Sequence, residues 1–595
     1  MGSMGAALTK GSTENVIACI KHFALNSAEN NRFHINVNCD EGTLHDCYLP
    51  HFRQCLEEGG GESLMSAYNK INGEHCGENG YLLNKVVRSI WGLENVVITS
   101  DWIFGFRNVP ASIKAGLDVE MPHRSMRAKY LPDNIAKGTV AMADVDRIGK
   151  RIIRMILKYH VRIASSDKPP ISVVRSVTHR HLAKQAAAQG MVVLENDGIL
   201  PLHDTKRLLV VGRLAKSTQT GDHGSSTVHG DKNIVSPLQG LEQQEGVITS
   251  YLDGSDLAAV AKACDNADAV FVLAGYTGED EGEGGMDKNG LKPAMMATVL
   301  PGWFPFTFVA RIVLWSLFNL MALVYLVKGQ TAPRLGGDRS NLRLTKADEE
   351  IITAVSKTAG RKMILGLEIS GPVILPRQVR SNAAAIIITG YGGCEFGNAL
   401  REVLYGDTEP SGRLAYSIPE DETDIPDIDL QADTAVYGRF WGYRLLQQKG
   451  KRAAYPFGFG LGYENVKLTP ASFKVPRKLE QRFFETSVSV RNTGNSKTTH
   501  VVQIYAGPKN GASIDYQRAL IGFSRVELAA GEERICTVKC RLDPVAHYNT
   551  ESREFDIAQG DYNLFASSYE GDQESLVAVV PASNFSWSAR VQKEE

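Results

Sequence analysis

Short β-rich runs alternate with stretches of helical periodicity through the first 165 residues, and this alternation limits the chain's fold more than any other feature. The runs are NVIACI (15–20), SLMSAY (63–68), NVVITS (95–100) and GLDVEM (116–121). Between them lie segments such as LHDCYLPHFRQCLEE, whose apolar residues recur at helical spacing. Strands separated in this way by helices pair in parallel through crossover connections. Polar residues gather where the strands end: Lys21 and His22, Tyr68, Asp101 and Trp102. In a β/α barrel such positions share one rim, the face where active sites sit. A complete barrel takes about 250 residues and eight strands. Four strands are legible here, so the expectation is either an incomplete barrel or a smaller open sheet.

The β-branched run Val96–Thr99 leads straight into Ser100, Asp101 and Trp102. Taken alone, Asp101 is either a working acid or a turn residue ending a buried strand. From about 190 to 417 a second α/β unit is expected, with strands near RLLVVG (207–212), AVFVLA (269–274), MILGLE (363–368) and AAIIIT (384–389). Helical patterns fall at 255–266 and 345–359. That order predicts a layered sheet with helices on both faces. The last hundred residues alternate in strand fashion, in FETSVSVRNTG, HVVQIYAG, RICTVKCRL and DYNLFASSY, and predict an all-β sandwich.

With 595 residues, 43% hydrophobic and 22% charged, the chain suits a globular protein of three or so domains. A net charge of -2 gives no electrostatic pull toward nucleic acid or acidic membranes, and no basic cluster is interleaved with aromatics. Nucleic acid is therefore not an expected partner. The nine cysteines lack the paired short spacings of structural metal sites. They read as buried thiols, with a disulfide among Cys39, Cys47, Cys55 and Cys76 left open. The start MGSMGAALTKGST has no apolar core of signal-peptide length. The compartment stays unassigned, secretion or membrane association of a longer form included.

Three places carry carboxylates worth weighing. Asp101 is one. In GEDEGEGG (278–285), Glu279, Asp280, Glu281 and Glu283 crowd a glycine-rich loop just after a strand. Glycines at the third and fifth positions from Asp280 break the calcium-loop pattern. GGDR (336–339) reads as a helix approach with Asp338 as a cap. No phosphate-binding G-x-x-x-x-G-K-[ST] and no G-x-S-x-G elbow occurs.

Seven stretches together carry a resemblance: IKHFALNSAENNR (20–32), LMSAYNKING (64–73), ITSDW (98–102), AGLDVEMP (115–122), VVLENDGILPL (192–202), GDTEPSGRLAYSIP (406–419) and YPFGFGLGYE (455–464). In that order they resemble the signatures of family 3 glycoside hydrolases, the β-glucosidase group. The resemblance implies a multidomain α/β plus all-β chain. A partial (β/α) barrel over 1–165 would carry the nucleophile, followed by a linker and helix over 166–189. An α/β/α sandwich over 190–418 would carry the acid/base and a hydrophobic insertion at 291–335. A connecting segment over 419–470 and a fibronectin type III-like domain over 471–590 would complete it.

By that resemblance Asp101 is the nucleophile of a retaining exo-β-glycosidase and Glu283 its acid/base, with Glu281 as the alternative. The crowding of acids is expected to raise the donor's pKa. Lys21, His22, Arg32, Met65, Tyr68 and Trp102 are implied sugar contacts. No cofactor and no metal is implied. The implied substrate is an oligosaccharide or an aryl or alkyl β-glucoside. The alternatives are a β-xylosidase or other family exo-glycosidase, or an inactive sugar-binding or dimer-forming remnant.

Two departures accompany the resemblance. The family barrel starts well over a hundred residues before its Lys-His pair, whereas twenty residues precede it here. The expectation is a truncated chain with open strand edges, folded in its second and third domains and of questionable catalytic competence. The second departure is TFVARIVLWSLFNLMALVYLV (307–327), an apolar run of membrane-span length lying between the acid loop and GGDRSNLRL. A single span would place one domain on both sides of a bilayer. The run is therefore read as a dimer contact or a membrane attachment through 301–330, or as translated non-coding sequence.

Overall fold

The computed structural model describes residues 1–165, 169–221, 224–226, 228, 230, 233–283, 316, 336–427, 429–509 and 518–591. The apolar run 307–327 and the insertion read at 291–335 lie outside these residues but for position 316 and are not described. Among the described residues, no helix is long and apolar enough to cross a membrane.

Strands β1 (Cys19–Phe23), β2 (Ser63–Ser66) and β3 (Val97–Thr99) form a parallel sheet in the order β1-β2-β3. A bridge from Thr99 to Val119 brings the fourth expected run alongside β3. The first strand begins later than its sequence pattern suggests. Val16 and Ile17 are exposed and stay outside the sheet, so Lys21 and His22 lie within β1 instead of beyond its end. Among the described residues β1 is an edge strand, and the sheet remains open there. Helix α1 (Gly2–Thr13) packs on α2 (Pro50–Glu57). Helix α3 (Met142–Ser165) buries Ile148 and Tyr159 but leaves Ile153, Ile156, Leu157 and Val161 exposed.

The second region is a six-stranded sheet of β4 (Val192–Asn196), β5 (Arg207–Val211), β6 (Ile248–Leu252), β7 (Ala269–Gly275), β8 (Met363–Glu368) and β9 (Ala385–Ile388), in the order β4-β9-β8-β7-β5-β6. All pairs are parallel except β4 with β9. Every residue of β7 and β8 is buried, as a central strand covered on both faces requires. Helices α4 (Leu257–Asp265), α5 (Lys346–Thr358) and α6 (Phe396–Tyr405) cover the sheet, with separate apolar cores on its two faces. The edge strands β4 and β6 have no counterpart among the expected elements.

In the third region, β10 (Val466–Lys474), β11 (Phe483–Asn492) and β14 (Glu533–Arg541) form one antiparallel sheet. Strands β12 (Thr498–Pro508), β13 (Ala519–Leu528), β15 (Gly560–Ser567) and β16 (Leu576–Ala582) form the other. Their inward residues share one apolar core with the first region. The stretch between the second and third regions is more than a connection. Thr434–Val436 pairs in parallel with Asn36–Asn38 and so returns to the first region. All nine cysteines are free thiols, so the disulfide left open by the sequence is not formed.

Candidate active site

Parallel register brings the functional strand ends to one edge. Ile20 lies opposite Leu64, and Met65 lies opposite Thr99. His22, Tyr68 and Asp101 therefore emerge together. The Asp101 side chain is 7% exposed. Its Oδ1 accepts the Trp102 backbone N–H at 2.7 Å, and its Oδ2 lies 3.5 Å from His22 Nε2. Burial pushes the Asp101 carboxyl above its ordinary value, against the opposing pull of His22, the Trp102 N–H, Tyr68 and Arg32. Burial also drives the His22 pKa down, despite the field of Asp101, so the imidazole is predominantly neutral at pH 7.

Tyr68 is buried and donates its hydroxyl to the Trp102 carbonyl at 2.9 Å. Burial, reinforced by Asp101, keeps that phenol protonated well above its usual range. Arg32 stacks over Tyr68 at 5.3 Å and over Phe33 at 5.0 Å. Its guanidinium meets Glu29 Oε1 at 2.9 Å and Glu283 Oε1 at 2.8 Å. Lys21 reaches toward the second region too, 3.5 Å from Ser225 Oγ. Met65 is half-buried near the end of β2. Trp102 is 52% exposed, leaving an indole face open to a ligand.

The acid loop departs from expectation. Crowding was expected to raise the Glu283 pKa, but its carboxyl is held down at about 2. Burial acts to raise it. The Ser225 N–H and hydroxyl and the Arg32 guanidinium outweigh that effect. The four acids do not confront one another, because each turns to its own surroundings. Glu281 pairs with Arg339 at 3.3 Å and accepts hydrogen bonds from Ser370 Oγ at 2.7 Å and from the Tyr391 hydroxyl. Asp280 accepts the Thr277 N–H at 2.8 Å and approaches Arg213 at 3.5 Å, while Glu279 faces solvent. Glu283 and Asp101 nonetheless act on the same two groups, since the fields of both reach His22 and Tyr68.

Asp338 is not a helix cap. Its Oδ2 accepts the N–H groups of Glu29 and Asn30, both at 2.9 Å, and its own N–H donates to Asn30 Oδ1 at 2.9 Å. This clasp fixes the loop bearing Arg32 against the second region. Gly336 and Gly337 have φ of 67° and 100°. A Cβ on Gly336 would stand 2.0 Å from the Gly282 carbonyl oxygen, so only glycine fits that approach. Gly336 N–H donates to Glu279 O at 3.3 Å and Gly337 N–H to Gly282 O at 2.8 Å. The chain thus leaves at Glu283 and re-enters at Gly336 beside its point of departure.

Glu29, Ser225, Ser370 and Tyr391 belong to the site but were not read from the sequence. Ser370 and Tyr391 follow β8 and β9 at the carboxyl edge of the sheet, where open α/β sheets bind ligands. Among the described residues, no group of three or more His, Cys, Asp or Glu side chains is arranged to hold a metal ion.

Residues 1–155 match the glycosyl hydrolase family 3 N-terminal domain, 191–463 the glycosyl hydrolase family 3 C-terminal domain, and 500–569 a fibronectin type III-like domain. The chain is 27% identical over 585 residues to thermostable beta-glucosidase B of Acetivibrio thermocellus, spanning 94% of this chain and 68% of that protein. It is 26% identical over 587 residues to an exo-alpha-(1->6)-L-arabinopyranosidase of Bifidobacterium longum, spanning 95% and 70%. The crystal structure of Bifidobacterium adolescentis GH3 beta-glucosidase superposes with a TM-score of 0.78 at 25% identity, over 96% of this chain and 77% of that one. The beta-glucosidase of Kluyveromyces marxianus in complex with glucose shares the fold, with a TM-score of 0.81 at 21% identity over 98% and 85%.

Proposed function

Because this chain belongs to glycosyl hydrolase family 3 and is thereby a glycosyl hydrolase, we propose that it is a retaining exo-β-glucosidase releasing terminal non-reducing β-D-glucosyl residues. Asp101 attacks the anomeric carbon as the glycosidic C–O bond breaks, and Glu283 gives the departing oxygen its proton. Glu283 then takes a proton from water, whose oxygen displaces Asp101 from the glycosyl ester. The sum is glycoside plus water to sugar plus alcohol, with both carboxyl groups restored. Neither a cofactor nor a metal enters this scheme.

The observation that carries the reading is the convergence of a buried Asp101 and the Arg32-linked Glu283 on His22 and Tyr68. The Arg32 pair defines what Glu283 must do. Held at about 2, it is ionised at neutral pH and becomes a donor when sugar hydroxyls draw both Ser225 and the guanidinium away. Lys21, Met65 and Trp102 complete the sugar site in this reading.

Asp101→Asn is expected to abolish turnover of an aryl β-glucoside. Glu283→Ala is expected to lose turnover and to regain part of it with azide; if Glu281→Ala behaves that way instead, the acid assignment passes to Glu281. The low Glu283 pKa also favours a second reading, a catalytically inactive sugar-binding remnant. Sugar binding by calorimetry with no hydrolysis of any glycoside would establish that reading over the first. Within the catalytic reading, a panel of β-glucosides, β-xylosides and α-L-arabinopyranosides tests specificity, since relatives of similar identity carry both glucosidase and arabinopyranosidase names.

A further inference from the structure

The carboxyl edge of the six-stranded sheet holds an acid that the proposed reaction does not use. Glu368 closes β8 opposite Gly275, the last residue of β7. The residue is 1% exposed, and its Oε2 has no hydrogen-bond partner among the described residues. The Gln219 side chain hydrogen-bonds the carboxyl, and the Arg213 guanidinium acts on it at longer range. Arg213 is already engaged by Asp280 at 3.5 Å, Asp348 at 3.7 Å and the Gly275 carbonyl at 3.2 Å. A carboxylate at 368 would thus be a further buried anion beside a shared cation, which is costly. Burial accordingly pushes Glu368 up to about 8, with Gln219 and Arg213 drawing it only part of the way back.

The surroundings tie this proton to the acid loop. Ser370, two residues beyond Glu368, donates to Glu281 through its hydroxyl at 2.7 Å and its N–H at 3.3 Å. Tyr391, entering from beyond β9, donates to Glu281 and also feels the field of Glu368. Tyr276 N–H donates to the Glu368 carbonyl at 3.0 Å, one residue before Thr277, whose hydroxyl and N–H both bind Asp280. From α5, Asp348 faces the same Arg213, and its own pKa is raised by burial.

We infer that Glu368 is a positioning residue for the acid loop, holding it in place as a neutral carboxyl and loosening it on ionisation. The inference rests on the reading that this loop supplies the catalytic acid. Ionised Glu368 repels Glu281 through the Tyr391 contact. It also draws Arg213 from Asp280, which caps the loop's short helix. The activity of the enzyme should therefore fall as pH rises through the Glu368 ionisation.

Glu368→Gln keeps the shape and removes the titration. In the wild type, kcat/KM is expected to fall about tenfold per pH unit above its alkaline inflection near pH 8. In Glu368→Gln that limb should flatten while activity at pH 6 stays within about twofold. Denaturant unfolding provides an arm that needs no catalysis. Wild-type stability should decline from pH 5 to pH 8, and Glu368→Gln should lose that decline, even if no glycoside is ever hydrolysed. Equal slopes in the two proteins overturn the inference. A changed stability slope with an unchanged alkaline limb overturns the link to the acid loop. Should Glu368→Gln fail to fold, the infrared carboxyl band of wild type carrying carbon-13-labelled glutamate, which shifts glutamate away from Asp101 and Asp348, decides the protonation state: a labelled band that persists at pH 7 and is lost above pH 9 supports the inference, and its absence at pH 7 overturns it.

Discussion

Arg32 and Glu283 stand 251 positions apart in the chain, and their side chains meet at 2.8 Å. The pair joins the rim of the open barrel to the acid loop and, together with the Ser225 hydrogen bonds, lowers the proton affinity of Glu283. Arg32→Met should raise the Glu283 pKa from about 2 toward its ordinary value. In the proposed reading KM should also rise with the loss of a sugar contact. A titration of carbon-13-labelled glutamate checks the first effect directly. An unmoved Glu283 signal would count against the ion pair as its cause.

Asp118 braces the strand that leads to Asp101. Its side chain is 0% exposed, and it accepts Arg88 Nη2 at 2.9 Å, the Ile98 N–H at 2.8 Å and Arg151 Nε at 2.8 Å. Ile98 lies in β3, which delivers Asp101. Asp118→Asn strands two buried cations, a loss of about 3–5 kcal/mol. Thermal unfolding should move markedly lower, and activity should drop at temperatures where the variant is still folded. A variant as stable and as active as the wild type would refute that role.

Arg482 fastens the third region to the first. It makes two bonds to Glu57, at 2.8 and 2.9 Å, and pairs with Asp543 at 2.9 Å. Burial would raise the Asp543 pKa, but Arg541 and Arg482 hold it down at about 2. A carboxyl lowered from 3.8 when folded stabilises the protein above about pH 4, and that stabilisation is lost as pH falls toward 2. Arg482→Met should cost about 3–5 kcal/mol at neutral pH. It should also leave a shallower acid dependence in melting scans between pH 5 and 2; parallel curves would contradict this.

The exposed face of α3 should drive association between copies. Ile153, Ile156, Leu157 and Val161 are 58%, 56%, 59% and 67% exposed on one helix, and contiguous apolar patches seldom stay bare in soluble monomers. Sedimentation velocity should show mass rising with concentration. Replacing Ile156 and Leu157 together by lysine should suppress the rise, and an unaltered profile would place the contact elsewhere.

Much of the fold was legible because its strands are buried and strongly patterned. The central strands β5, β7, β8 and β9 fall where continuous apolar runs placed them, and helices α4 and α5 fall where the helical periodicity did. The edge strands β4 and β6 escaped, as did Thr434–Val436, because edge and short strands carry weaker patterns. At the site, the strand-end residues were visible as polar breaks in apolar runs. Their electrostatics were not: four acids in five residues imply repulsion only until their partners are known. Arg32, Arg213 and Arg339 come from other parts of the chain, and nothing in the local sequence announces them as partners of these acids. The clasp at Asp338 was hidden for the same reason.

The hydrogen bond from Gly337 to Gly282 has a consequence for how this protein tolerates change. Gly282 borders Glu283, and Asp338, next to Gly337, grips the loop that carries Arg32. This one bond therefore helps keep Arg32 and Glu283 in register. A side chain at Gly336, whose Cβ would stand 2.0 Å from the Gly282 carbonyl oxygen, would disturb both at once.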